Sequence, residues 1–211
     1  MPILPIRTIG DPVLRTRASE VVQFDDALRR LVADMTETML DVGGVGLAAP
    51  QVGVSVRLFT WALEGSAGHV INPVLEVGDE PQEGSEGCLS VPGLGFGTPR
   101  RDRARVTGLD QFGHPVTVEG TGLLARCLQH ETDHLDGRLY VDRLVGAARK
   151  EAMRAIRAAD YNGVVSGVAG QRAATVGSSF GTGSSSRAGS AFGAGRAWPA
   201  PAPRPHPSGE Q

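Results

Sequence analysis

Residues 25–41, DDALRRLVADMTETMLD, set Leu28, Leu31, Val32, Met35 and Met39 three or four positions apart, the period of one helix face. Asp25 and Asp26 suit the N-terminal cap and dipole of that helix, and Gly43-Gly44 ends it. Residues 54–63 (VSVRLFTWAL) and 70–77 (VINPVLEV) read as strands about a turn at 64–68, where His69 is expected near the surface. Residues 104–109 and 115–119 read as a second strand pair joined around Gln111-Phe112-Gly113, with His114 opening the later strand. A second helix is predicted within 121–137, stopping at Gly137, then a short strand or turn over 139–144. Residues 145–160, alanine-rich and basic on one side, predict a closing helix. The first 23 residues, punctuated by Pro2, Pro5 and Pro12, suggest an extended arm wrapped over the domain.

Beyond residue 162 no period survives. Of residues 163–211, 23 of 49 are Gly, Ser or Pro, too little apolar surface to offset ordering entropy, so a disordered tail is expected behind a domain at 1–162. Phe180, Phe192, Trp198 and His206 in that tail receive no role. The tail carries four arginines against one glutamate, net +3, and the whole chain is −2, which leaves −5 for residues 1–162. No dense basic stripe appears, which speaks against a sequence-specific nucleic-acid binder. No apolar run approaches the ~20 residues that cross a bilayer, and the N-terminus lacks a secretory-signal pattern. Two cysteines suit reduced thiols or a metal ligand better than a disulfide framework. The expected address is the cytoplasm, with no membrane partner.

The chemistry centres on His130-Glu131-Thr132-Asp133-His134, an H-E-x-x-H in the second predicted helix. Histidines four apart lie one above the other on one helix face, so both imidazoles can reach one ion. Glu131, at the edge of that face, can move protons for a water held there. A catalytic ion needs a third protein ligand and an open position. Cys127 shares the helix face of His130 but stands seven residues from His134, about 10 Å along the axis, too far for so short a side chain. Cys88 lies on another element and is free to approach from the side. Cys/His/His with water suits zinc or ferrous iron. Gln51 is the one polar side chain in the glycine-rich stretch 44–53, whose composition lets a backbone come close to something.

Three stretches together, GVGLAAPQ at 44–51, EGCLS at 86–90 and QHETDHLDG at 129–137, resemble the signature stretches of the peptide deformylases, in that family's order. The likeness spans roughly residues 1–161. It implies an α+β fold, with antiparallel β-sheets packed around a central helix that carries H-E-x-x-H, and a C-terminal helix. It implies a metallo-amidase that removes the N-formyl group from the N-terminal formyl-methionine of newly synthesised polypeptides and releases formate. The family's metal ligands fall on Cys88, His130 and His134, its catalytic carboxylate on Glu131, and its oxyanion donors on Gln51 and the Leu89 backbone N–H. Substrate contacts are expected from Gly44, Val45 and Gly46, whose backbone can pair with an extended peptide, and from Cys127 at the methionine pocket. Arg100, after Pro99, matches a family arginine at the pocket's edge. Arg126 stands where an apolar residue is also common in the family.

The resemblance points first to ferrous iron, one divalent ion per chain, with Zn2+, Ni2+ and Co2+ suiting the same ligands. Formylated nascent chains are the implied partners, and the basic closing helix makes the ribosome another. Asp133 is a candidate to orient a histidine ligand. Two rival readings exist. A conventional zinc peptidase needs a downstream third ligand, and no extended H-E-x-x-H-x-x-G-x-x-H is present. A non-enzymatic binding module would tolerate loss of Gln51, Cys88, Glu131 or either histidine, yet all five stand in the sequence.

Overall fold

A computed structural model describes residues 3–159. The reading of 163–211 lies outside those residues. The first helix, α1 (Asp26–Asp41), starts where the Asp25 side chain accepts from the Leu28 N–H at 2.9 Å. It buries Leu28, Val32, Met35 and Met39. Gly43, at φ 66°, turns the chain out of it, the conformation that glycine adopts at no steric cost.

Strands β1 (Gly46–Ala48), β2 (Leu58–Leu63), β3 (Ser66–Val77), β4 (Pro81–Gln82), β5 (Ser85–Cys88), β6 (Val91–Gly97), β7 (Arg100–Arg101), β8 (Arg103–Leu109) and β9 (Pro115–Thr121) follow. Five form an antiparallel sheet in the order β1-β2-β3-β8-β9, while β4/β7 and β5/β6 are two-stranded ribbons. Helices α2 (Gly122–Leu135) and α3 (Gly146–Ala158) close the fold, separated by a 3-10 turn at Tyr140–Arg143. The fold is α+β with antiparallel sheets, as expected.

The period-2 alternation of strands assigns each side chain a face. Leu47, Leu58 and Ile71 join the cluster under α1, whereas their neighbours Ala48, Phe59 and Val70 join Ala125, Leu128 and Leu135 of α2. The sheet is thus buried on both faces near β1–β3, and α2 lies on one of them. A third cluster, with Leu14, Val91, Leu139, Tyr140 and Ala152, seats α3 against β6 and encloses Cys88.

The N-terminal arm does more than wrap. Its backbone N–H groups donate from Arg7 to Gln51 O at 2.7 Å, from Ile9 to Ser90 O at 2.8 Å and from Ala18 to Leu135 O at 2.9 Å. One stretch of chain therefore ties the 44–53 segment, the β5/β6 ribbon and the end of α2 to one another. His69 differs from expectation: it is half-buried, and its Nε2 accepts from the Gln111 N–H at 3.0 Å, which fixes the β8–β9 turn. His114 is exposed beside Asp110.

Candidate active site

Residues 125–135 of α2 are buried without exception, including Arg126, Gln129, Glu131, Asp133 and both histidines. Buried polar groups persist only with partners, so the partners define the site. His130 and His134, one turn apart, bring their Nε2 atoms to 3.2 Å. Cys88, the last residue of β5, brings Sγ to 3.2 Å from His134 Nε2, and the three donor atoms lie within 4.8 Å of one another. Donors on one tetrahedral ion with bonds of about 2.0–2.3 Å stand roughly 3.3–3.6 Å apart. The donor set fits a single ion of that kind.

Glu86 organises this set. Its Oε2 lies 2.9 Å from His130 Nδ1. A carboxylate only accepts, so the ring nitrogen donates and the Nε2 lone pair turns toward Cys88 and His134. Arg100 grips the same carboxylate through Nε at 2.6 Å and Nη2 at 2.9 Å, and Arg126 adds Nη1 at 3.1 Å. Burial alone would raise the pKa of Glu86; the bonds from Arg100 and His130 outweigh it and bring it down to about 2. Burial likewise opposes a charged His130, but the Cys88 sulfur and Glu86 overcome it and hold that pKa well above normal. The local field favours a cation here, proton or metal. His134 is pushed the other way, first by burial and then by His130, which keeps it in the neutral form a ligand needs.

Glu131 is fully buried, and loss of solvation pushes its pKa up to about 7. Its Oε2 has no partner among the described residues. Gln51 is oriented by the Ala48 N–H, which donates to Oε1 at 2.8 Å and leaves Nε2 facing Cys88 Sγ at 3.7 Å and Ser90 Oγ at 3.4 Å. Leu89 follows Cys88 directly and is buried. Gly44, Val45 and Gly46 run into β1, the sheet's edge strand, and Val45 O receives the Cys127 thiol at 3.5 Å. Cys127 is wholly enclosed, and burial with the nearby Glu131 charge pushes its thiol up.

A sequence model of the polypeptide deformylases matches residues 3–150. The chain belongs to the polypeptide deformylase family. It is 56% identical over 163 residues to the peptide deformylase of Acidothermus cellulolyticus, covering 77% of this chain and 91% of that one. Among solved structures it resembles the peptide deformylase of Thermus thermophilus, with a TM-score of 0.71, 46% identity and coverage of 74% and 94%. It also resembles the deformylase of Synechococcus elongatus in complex with actinonin, at TM-score 0.70, 39% identity and coverage of 74% and 87%. The chain is accordingly an enzyme of the deformylase class.

In this deformylase fold Arg100, Arg126, Asp133 and Glu86 take places that the sequence alone did not suggest. Arg100, expected at the pocket's edge, has a side chain only 2% exposed, held between Glu86 and Asp133, whose Oδ2 lies 2.6 Å from Nη1. Asp133 receives Arg100 and Arg143 rather than a histidine. The acid that does reach a histidine is Glu86, missed although it stands two residues before Cys88 in EGCLS. A carboxylate with no assigned role, two residues before a candidate metal-ligand cysteine, is the available signal. Ser90 and Arg126 were likewise unassigned.

Proposed function

We propose that this deformylase removes the formyl group from the N-terminal formyl-methionine of nascent polypeptides, using one divalent metal held by Cys88, His130 and His134. The convergence of those three donor atoms beside an ionisable Glu131, whose Oε2 has no partner among the described residues, carries the reading. A bound divalent ion would lower the pKa of a water toward neutrality and polarise the formyl carbonyl. Ferrous iron is the ion the family implies, and Zn2+, Ni2+ and Co2+ suit the same donors.

The chain's own groups divide the remaining work. Glu131, with its pKa raised to about 7, is matched to accepting the proton of the attacking water and returning it to the departing amine near neutral pH. Water adds to the formyl carbon, the C–N bond breaks, and formate and the free methionine amine leave. Gln51 Nε2, held by the Ala48–Gln51 bond, and the Leu89 N–H are the donors for the oxygen that gains negative charge. The edge strand at Gly44, Val45 and Gly46 offers backbone groups to an extended peptide. Cys127 lines the side of the methionine pocket, while Arg100 acts behind Glu86. Nascent chains place the enzyme in the cytoplasm and near the ribosome. Among the described residues no helix is long and apolar enough to cross a membrane.

The test is formate release from a formyl-Met peptide, with anaerobically prepared protein, Glu131→Ala alongside and metal measured on both. Formate from wild type alone, with about one metal retained per chain in each, is the expected outcome. A folded, fully metallated wild type that releases none would overturn the reading.

A further inference from the structure

Arg126 is buried deep in the site, yet no step of the reaction uses it. Its side chain is 4% exposed. One nitrogen, Nη1, faces three acceptors: Gly84 O at 3.2 Å, Thr98 O at 3.0 Å and Glu86 Oε1 at 3.1 Å. Gly84 immediately precedes β5 and Thr98 immediately follows β6, and the Thr98 N–H donates to Gly84 O at 2.9 Å. These two residues are the legs of the ribbon that carries Cys88 and Leu89. The guanidinium thus joins α2, which bears both histidines, to both legs of the element that bears the third ligand. Gly84 leaves the room: a Cβ there would stand 2.9 Å from Arg126 Nη2.

We propose that Arg126 is a positioning residue, a clamp across the base of the β5/β6 ribbon that holds Cys88 against His130 and His134 and so slows loss of the metal. This rests on the metal reading above. Glu86 keeps its two-point pairing with Arg100 when Arg126 is removed, so its charge stays compensated and the fold is expected to survive. What disappears is the tie to the two backbone carbonyls, together with the third contact on Glu86. Groups that orient ligands in this way change metal affinity by roughly 10–100-fold.

The experiment compares wild type, Arg126→Met and Arg126→Lys, each purified with metal. The readouts are the rate of metal loss to excess chelator, thermal melting of the metal-free proteins, and kcat and KM on a formyl-Met peptide. Arg126→Met is expected to melt near wild type, to lose metal about tenfold faster and to show reduced kcat with KM little changed. Lysine keeps the charge but its ammonium cannot span both legs and Glu86 together, so its metal loss should exceed wild type by a smaller factor. If Arg126→Met does not fold, Arg126→Lys decides alone. A wild-type rate of metal loss in either folded variant overturns the clamp. A wild type that itself holds no metal would instead overturn the metal reading, and the clamp with it.

Discussion

Gly46 and Glu131 compete for one small volume: a Cβ on Gly46 would overlap Glu131 Oε1 and stand 2.8 Å from Cys127 Sγ. The backbone of Gly46 is outside the left-handed region, so it would tolerate alanine and only this contact forbids it. The absence of a side chain at 46 is what lets the edge strand lie against the Glu131 carboxylate, the proposed proton acceptor.

Gly46→Ala should therefore fold, keep its metal and lose activity. A displacement near 1 Å of a catalytic group is worth about 100-fold in rate. Far-UV circular dichroism, metal content and formate release check this together. Wild-type turnover would show that Glu131 has slack.

Glu86 predicts a pH dependence. Its folded pKa, about 2, lies below the ordinary 4.5, so the stability it adds is fully present above 4.5 and is lost as pH falls from there toward 2. A gap of that size corresponds to roughly 3 kcal/mol at most. Denaturant titration of metal-free wild type and Glu86→Gln at pH 6 and pH 3 should give a smaller pH-dependent loss in the variant. Equal losses would mean that Glu86 carries no such linkage. With the metal present, the variant should also bind it more weakly, by about 10–100-fold.

In the proposed reaction, Gln51→Ala should remove one donor from the developing oxyanion. Loss of a single such donor lowers kcat by about 100- to 1,000-fold, with a smaller change in KM. Steady-state kinetics on a formyl-Met peptide read the split directly. A change confined to KM would recast Gln51 as a substrate-binding group.

The two cysteines should differ under peroxide. Cys127 is held as a thiol by burial and by the Glu131 charge, and the thiol form is inert. Cys88 meets the metal as thiolate in the proposed site, the form that oxidises first. Brief peroxide treatment should add oxygen to Cys88, release metal and stop formate production in parallel. Peptide mass mapping that found Cys127 modified first would reverse the assignment.

The local parts are legible in the chain itself. A 3.6-residue period and Asp25 specify α1, β-like runs set about turns mark β2, β3, β8 and β9, and the four-residue spacing of His130 and His134 puts both rings on one helix face. These follow from interactions within a few residues of one another, so they are written in the order of the chain. The partnerships across the fold are not. Glu86 meets His130 across 44 positions and Arg126 across 40, and the arm residue Ile9 meets Ser90 across 81. Nothing within the helix itself says that Arg126, Gln129 and Asp133 are enclosed; in the protein they are buried because other segments supply their charges and carbonyls. That outcome belongs to the assembled fold, since burying a charge is favourable only when its partner is already in place, and the partner's position is a property of the whole packing.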